Sequence, residues 1–322
     1  MNGNQRHLSR RLFLQSAVPA GLAISLLGVE GSTVFARSST HVQTHKAGNL
    51  DVTTQRIAVP AFFGLNNDWS RIEQASNKVG IVVPDQSFNT LQDDPTDPSF
   101  HPLTDAKAQF DRCRQQGQLV LGYVNSGSAQ RDPGAINADI NQWYTAYTDA
   151  NGIHIDGIFF DEGPELDLKW QSGPEAGQYI TDQEFQDFYK TLVHNFKTSH
   201  PSNNAVLLNG AAFPNEWVMQ PVDSAGNLID YVILWENSED IYVNKYHAIG
   251  PQGILVPIPS WWTNPQYTQR IVHTVYATAA SDLQNIVNLS QSRGAGMVYI
   301  TDASQAVYSR LPTFWDQEVA LV

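Results

Sequence analysis

Residues 155–162 read Ile-Asp-Gly-Ile-Phe-Phe-Asp-Glu, and this stretch decides the fold. Its centre is apolar without alternation, which is how a strand covered on both faces of a parallel sheet reads. It then ends abruptly in two acids, Asp161 and Glu162. An apolar strand with a polar C-terminal end is the unit of an α/β protein whose chemistry sits at the strand ends.

Seven further runs of the same kind surround it. IAVPAFFG (57–64), VGIVVP (79–84) and QLVLGYVNS (118–126) precede it. NAVLLNGA (204–211), IDYVILWE (229–236), RIVHTVYA (270–277) and GMVYITDA (296–303) follow it. Amphipathic stretches lie between them. In 182–198, Phe185, Phe188, Tyr189, Leu192 and Phe196 form one stripe at helical spacing. Ala106, Phe110 and Cys113 do so in 104–116, with Thr104 as the expected N-cap. Ile136, Ile140, Trp143 and Tyr144 line a face in 135–147. Leu283, Ile286 and Val287 line one in 280–293, which Gly294 ends.

Alternating strands and helices give a parallel sheet, open or closed. Eight strands in roughly 265 residues match the size of a (β/α)8 TIM barrel. An open doubly wound sheet usually carries a glycine-rich turn after its first strand. Here that turn is Gly64-Leu65-Asn66-Asn67-Asp68-Trp69, with no G-x-G-x-x-G, so the barrel is preferred. In the long connection 237–269, the run ILVPIPSWW (254–262) carries two prolines. It is read as a loop over the barrel mouth.

The N-terminus reads as an address. Ser9-Arg10-Arg11-Leu12-Phe13-Leu14 is a twin-arginine signature, followed by an uncharged apolar stretch over 17–29 and by Val34-Phe35-Ala36 at a cleavage site. Three segments result: an export signal (1–36), a linker (37–54) and one barrel domain (55–322). The mature chain then has no membrane span and is expected to be secreted, or held at the cell surface or in the periplasm, of a bacterium.

Of the 322 residues, 32 are Asp or Glu and 19 are Lys or Arg, a formal net charge of −13. That argues against a nucleic-acid partner, which needs a basic face, and suits a neutral or cationic polymer. The single Cys113 excludes an intrachain disulfide and falls on a helix's apolar stripe. No Cys/His cluster has zinc spacing. No G-x-S-x-G elbow supports serine hydrolysis.

Polar residues at the strand ends are the candidate site. They are Tyr123, Asn125 and Ser126 on strand three, Asp161 and Glu162 on four, and Asn209 on five. Trp235 and Glu236 end strand six, His273 belongs to seven, and Asp302 follows eight. Carboxylates among aromatic rings suit glycosidic cleavage, which needs one carboxyl as acid and a second as base or nucleophile. Two other uses stay open: a non-catalytic carbohydrate-binding surface protein, and a metal-dependent polysaccharide hydrolase or deacetylase. The acids carry no H-x-H or H-x-x-E-H spacing, so no metal is expected.

The same pieces resemble the spherulation-specific family 4 (spherulin-4-like) proteins, which form glycoside hydrolase family 135. The most specific are LGYVNSGSAQR (121–131), DGIFFDEGP (156–164), VLLNGA (206–211) and YVILWENS (231–238). The resemblance implies a barrel that cleaves α-1,4-linked N-acetylgalactosamine or galactosamine in an exopolysaccharide. Its acids fall on Asp161, Glu162 and Glu236, and its other site positions on Tyr123, Asn125, Asn209 and His273. The chain departs from the family after strand two, where Val83-Pro84-Asp85-Gln86-Ser87-Phe88 replaces N-P-x-S-G-P-G. It departs again at Asn209-Gly210-Ala211, where N-P-G is usual. On this reading Glu162 is the general acid, Glu236 the nucleophile or base, and Asp161 assists. Tyr123, Asn125, Asn209, Trp235, His273 and Asp302 bind sugar. Trp69, Trp261 and Trp262 are candidate stacking platforms. The enzyme is expected to be endo-acting and monomeric, with no cofactor.

Overall fold

The computed structural model describes residues 54–89, 102–304 and 306–322. The expected export signal, and all but the last residue of the linker, lie outside the described residues.

Eight parallel strands close into a barrel: β1 (Arg56–Ala61), β2 (Val79–Pro84), β3 (Leu119–Asn125), β4 (Gly157–Asp161), β5 (Ala205–Asn209), β6 (Tyr231–Ser238), β7 (Ile271–Tyr276) and β8 (Met297–Ile300). The order around the ring is β1-β8-β7-β6-β5-β4-β3-β2, closing back on β1. Every residue of β2 and β8 is buried. This explains why these runs lack alternation: both faces of each strand are covered.

The helices are α1 (Asn67–Gln74), α2 (Leu103–Gln115), α3 (Pro133–Ala146), α4 (Asp182–Ser199), α5 (Glu239–Asn244), α6 (Leu283–Ser292) and α7 (Trp315–Leu321). On α4, Phe185, Tyr189, Leu192 and Phe196 are buried as the stripe requires. Its start is a capping box: Thr181 Oγ1 accepts from the Glu184 amide at 3.3 Å, and Glu184 accepts from the Thr181 amide at 2.7 Å. Asp132 caps α3, with Pro133 in the first turn. Thr104 is not the cap that the spacing predicts. The helix α2 begins two residues earlier than that cap would give, with Pro102 at the cap position. Between β5 and β6 a short 3-10 turn, Glu216–Met219, takes the helix's place.

The connection from β6 to β7 also differs from expectation. Leu255–Val256 pairs with Ala248–Ile249 as a small hairpin outside the barrel sheet. The Trp261–Trp262 segment is not over the mouth. The Trp262 carbonyl packs on Gly294, where an added Cβ would stand 2.3 Å from it. Gly294 closes the helix that leads into the start of β8, the end of the barrel opposite the strand C-termini. Both tryptophans are buried and present no stacking face.

Candidate active site

At the strand C-termini the inward positions converge on a narrow cleft of about 30 Å³. Asp161 comes from β4, Asn209 from β5, Glu236 from β6 and Thr274 from β7. Pro60, Phe62, Phe159 and Ile233 form its apolar walls, and Tyr308, from the loop after β8, completes it.

One hydrogen-bonded chain links the polar members. Tyr123 donates its hydroxyl to Asp161 Oδ2 at 2.9 Å. The Asn209 amide nitrogen donates to Asp161 Oδ1 and to Glu236 Oε2, both at 2.8 Å. Tyr308 donates to Glu236 Oε1 at 2.7 Å. Each of the four carboxylate oxygens thus accepts a bond from a fixed neutral donor. Two oxygens sharing one planar amide nitrogen stand about 5 Å apart, because its hydrogens diverge by roughly 120°. Burial, and after it the Asp161 charge, pushes the Tyr123 phenol far above its ordinary pKa. Tyr123 therefore remains a proton donor across the working range.

Backbone irregularities aim these side chains. Alternation from inward-facing Ile233 would turn Trp235 into the barrel and Glu236 out of it. The register prevents this: Val272 pairs with Ile233 and His273 with Trp235, leaving Leu234 as an extra residue. This β-bulge shifts the phase by one, so Glu236 opposes Thr274 and both face the cleft. At the end of β4, Gly163 lets the neighbouring strand approach closely; a Cβ there would stand 1.9 Å from the Asn209 carbonyl oxygen.

Glu162 lies beyond the strand's alternation. Its φ is +49°, a left-handed conformation that costs a non-glycine residue roughly 1–3 kcal/mol. Three donors hold it: the Ser128 amide at 2.6 Å, Ser126 Oγ at 3.0 Å and Tyr189 Oη at 3.0 Å all reach its carbonyl. Its charge is felt at Tyr123, but Glu162 does not line the central cleft.

Other expected site residues stand elsewhere. The bulge sends Trp235 outward, behind the barrel wall, and alternation with cleft-facing Thr274 puts His273 there too. There Trp235 packs on Tyr246 at 4.7 Å between ring centroids, and His273 Nδ1 meets the Tyr242 hydroxyl at 2.8 Å. Burial lowers the His273 pKa to about 3, with Arg293 adding to the effect, so the ring is neutral. Neither lines the cleft. Trp69 is 1% exposed and packs on Phe88 and Phe110; it is core. The Asn125 side chain accepts from the Gly127 amide at 2.7 Å, shaping the turn after β3. Asp302 accepts from Arg310 at 3.0 Å and from the Thr313 hydroxyl at 2.7 Å, so it organises a loop. Tyr308, Thr274 and Phe62 line the cleft although no motif singles them out. Among the described residues, no group of three or more His, Cys, Asp or Glu could hold a metal ion, and no helix is long and apolar enough to cross a membrane.

Fold and site together define a parallel (β/α)8 barrel with a carboxylate pair bridged by an amide at its mouth. The sequence profile of "Spherulation-specific family 4" matches residues 56–322, and the chain belongs to that family. It is 19% identical over 270 residues to Spherulin-4 of Physarum polycephalum, covering 83% of this chain and 70% of that one. Among solved structures it is similar to Aspergillus clavatus Sph3 in complex with GalNAc. There the TM-score is 0.60 at 16% identity, over 84% of this chain and 98% of that one. A broad-specificity GH5-4 endoglucanase from Clostridium longisporum gives a TM-score of 0.46 at 12% identity, over 84% and 95% of the two chains.

Proposed function

We propose that the protein is a glycoside hydrolase whose carboxylate pair is Asp161 and Glu236. The observation that carries this reading is the Asn209 amide shared by both acids. Carboxyls about 5–5.5 Å apart suit a retaining mechanism, in which one attacks the anomeric carbon and the other first protonates the leaving oxygen and then activates water. Asp161, rather than Glu162, shares the cleft with Glu236, and Glu162 contributes its charge at the rim.

The substrate is a hexosamine-rich exopolysaccharide with α-1,4-linked N-acetylgalactosamine or galactosamine, cut within the chain. Three observations support this: family membership, the resemblance to a barrel solved with GalNAc, and an acidic mouth that would attract protonated galactosamine units. Export by the twin-arginine route would bring the enzyme to such a polymer outside the cytoplasm.

The test is a panel of α- and β-linked hexosamine polymers, with product size and anomer followed by NMR. Wild type should release oligosaccharides that keep the substrate's anomeric configuration. Asp161→Asn and Glu236→Gln should each lose about a thousandfold in turnover. In Asp161→Ala and Glu236→Ala, azide should give a glycosyl azide of inverted configuration where the nucleophile is missing and of retained configuration where the acid/base is missing. Wild-type rates in both amide variants would overturn the assignment.

A further inference from the structure

Tyr308 belongs to a segment without hydrophobic period, yet its hydroxyl lies 2.7 Å from Glu236 Oε1 and 3.5 Å from Thr274 Oγ1. The surrounding structure fixes it closely. Its carbonyl accepts from the Phe62 amide at 3.1 Å, tying the loop to the end of β1. Its ring meets Phe62 edge-on, with centroids 5.6 Å apart.

The loop itself is closed by one carboxylate. Asp302, two residues beyond the end of β8, takes Arg310 Nη1 at 3.0 Å and the Thr313 hydroxyl at 2.7 Å. Leu311 N donates to Asp68 Oδ2 at 3.3 Å. The chain therefore leaves the barrel near Asp302 and returns to the same side chain eight and eleven residues later, at Arg310 and Thr313, with Tyr308 on the arc between.

We propose that Tyr308 is a positioning residue of the reaction, its phenol orienting and tuning Glu236, and that Asp302 serves it by fixing the loop. The proposal rests on the glycosidase reading above. The arrangement mirrors the other acid, where Tyr123 donates to Asp161. Each carboxylate then has a phenol of its own and a half share of one amide, so the two proton affinities can be set separately. Across the Asn209 amide from Glu236 stands Asp161, which accepts from Tyr123; Asp161, Glu162 and Asp85 are the charges felt at Tyr123. No lysine or arginine lines the cleft, and Arg310 is engaged by Asp302. The hydrogen bonds that Tyr308 and Asn209 donate to Glu236 favour its ionised form.

Glu236 can be followed without substrate by carboxyl-carbon NMR of protein labelled at glutamate, its resonance assigned by loss in Glu236→Gln. Tyr308→Phe should raise the Glu236 midpoint by about one unit and leave it nearly unmoved in Tyr123→Phe. With substrate, Tyr308→Phe should lower kcat roughly tenfold with KM within about twofold, and shift one limb of the kcat–pH profile upward. Asp302→Ala should lower kcat similarly, and the double variant should be no worse than Tyr308→Phe alone. An unmoved Glu236 midpoint in a folded Tyr308→Phe protein would overturn the proposal and leave the carboxylate pair standing. Full turnover in Glu236→Gln would remove the glycosidase reading instead.

Discussion

Asn209 carries two hydrogens on one nitrogen, and each reaches a different acid. A buried amide so placed prevents the two carboxylates from facing each other without a donor between them, which would push one to take up a proton. Asn209→Ala is therefore expected to lower kcat about a hundredfold, while the protein stays folded, and to spread the two limbs of its pH profile apart. Rate measurements across pH 4 to 9 check this; an unchanged profile would mean the bridge is only structural. Asp161, Asn209 and Glu236 were legible in the sequence because each ends a well-marked strand. Tyr308 was not, because a loop residue reaches the cleft through Asp302, Phe62 and chain closure, none of which leaves a period. Trp235 was misplaced because the bulge at Leu234 leaves no mark in the sequence, and His273 because it lies mid-strand, where alternation turns it away from the mouth. Trp69 was misplaced because a tryptophan just after a strand can turn either way, and the apolar surface of Phe88 and Phe110 drew it inward.

Elements were the easier level. Strands buried on both faces announce themselves as unbroken apolar runs, and stripes at helical spacing located α3 and α4 closely. Helix starts were less certain, since Pro102 outcompeted Thr104 for the head of α2 by fixing its backbone angle in advance. The last helix holds an unexpected group: Glu318 on α7 is wholly buried and accepts from the Ile300 amide at 2.8 Å. Burial raises its pKa well above the ordinary carboxyl value, so it is protonated in the fold where the unfolded chain has already lost the proton. The native state then binds more protons, and stability falls as pH rises from the unfolded pKa toward the folded one, by up to about 1.4 kcal/mol per pH unit. Glu318→Gln should flatten that slope. Chemical denaturation at several pH values between 5 and 8 would show it, and an equal slope in both proteins would contradict the account.

At the scale of the whole molecule, the excess of acids acts as a field. The formal charge of −13 should speed capture of a polymer bearing free amines and matter little to a fully N-acetylated one. KM for a partly de-N-acetylated galactosamine polymer is expected to rise severalfold between low salt and about 0.5 M, where the Debye length shrinks to a few ångströms. The N-acetylated polymer serves as the control, and equal salt dependence for both would rule out steering.

The extra residue Leu234 carries a lesson about inheritance. Substitution is the familiar route by which a site changes, but here the side of the wall on which Glu236 sits depends on Leu234 being left out of the ladder. Straightening β6 at that point, with no residue gained or lost, would exchange an acid for an indole at the mouth while every residue type is kept. Which side chains face the mouth of this barrel is thus written partly in pairing, and a relative that kept these residues but not the bulge would present a different mouth.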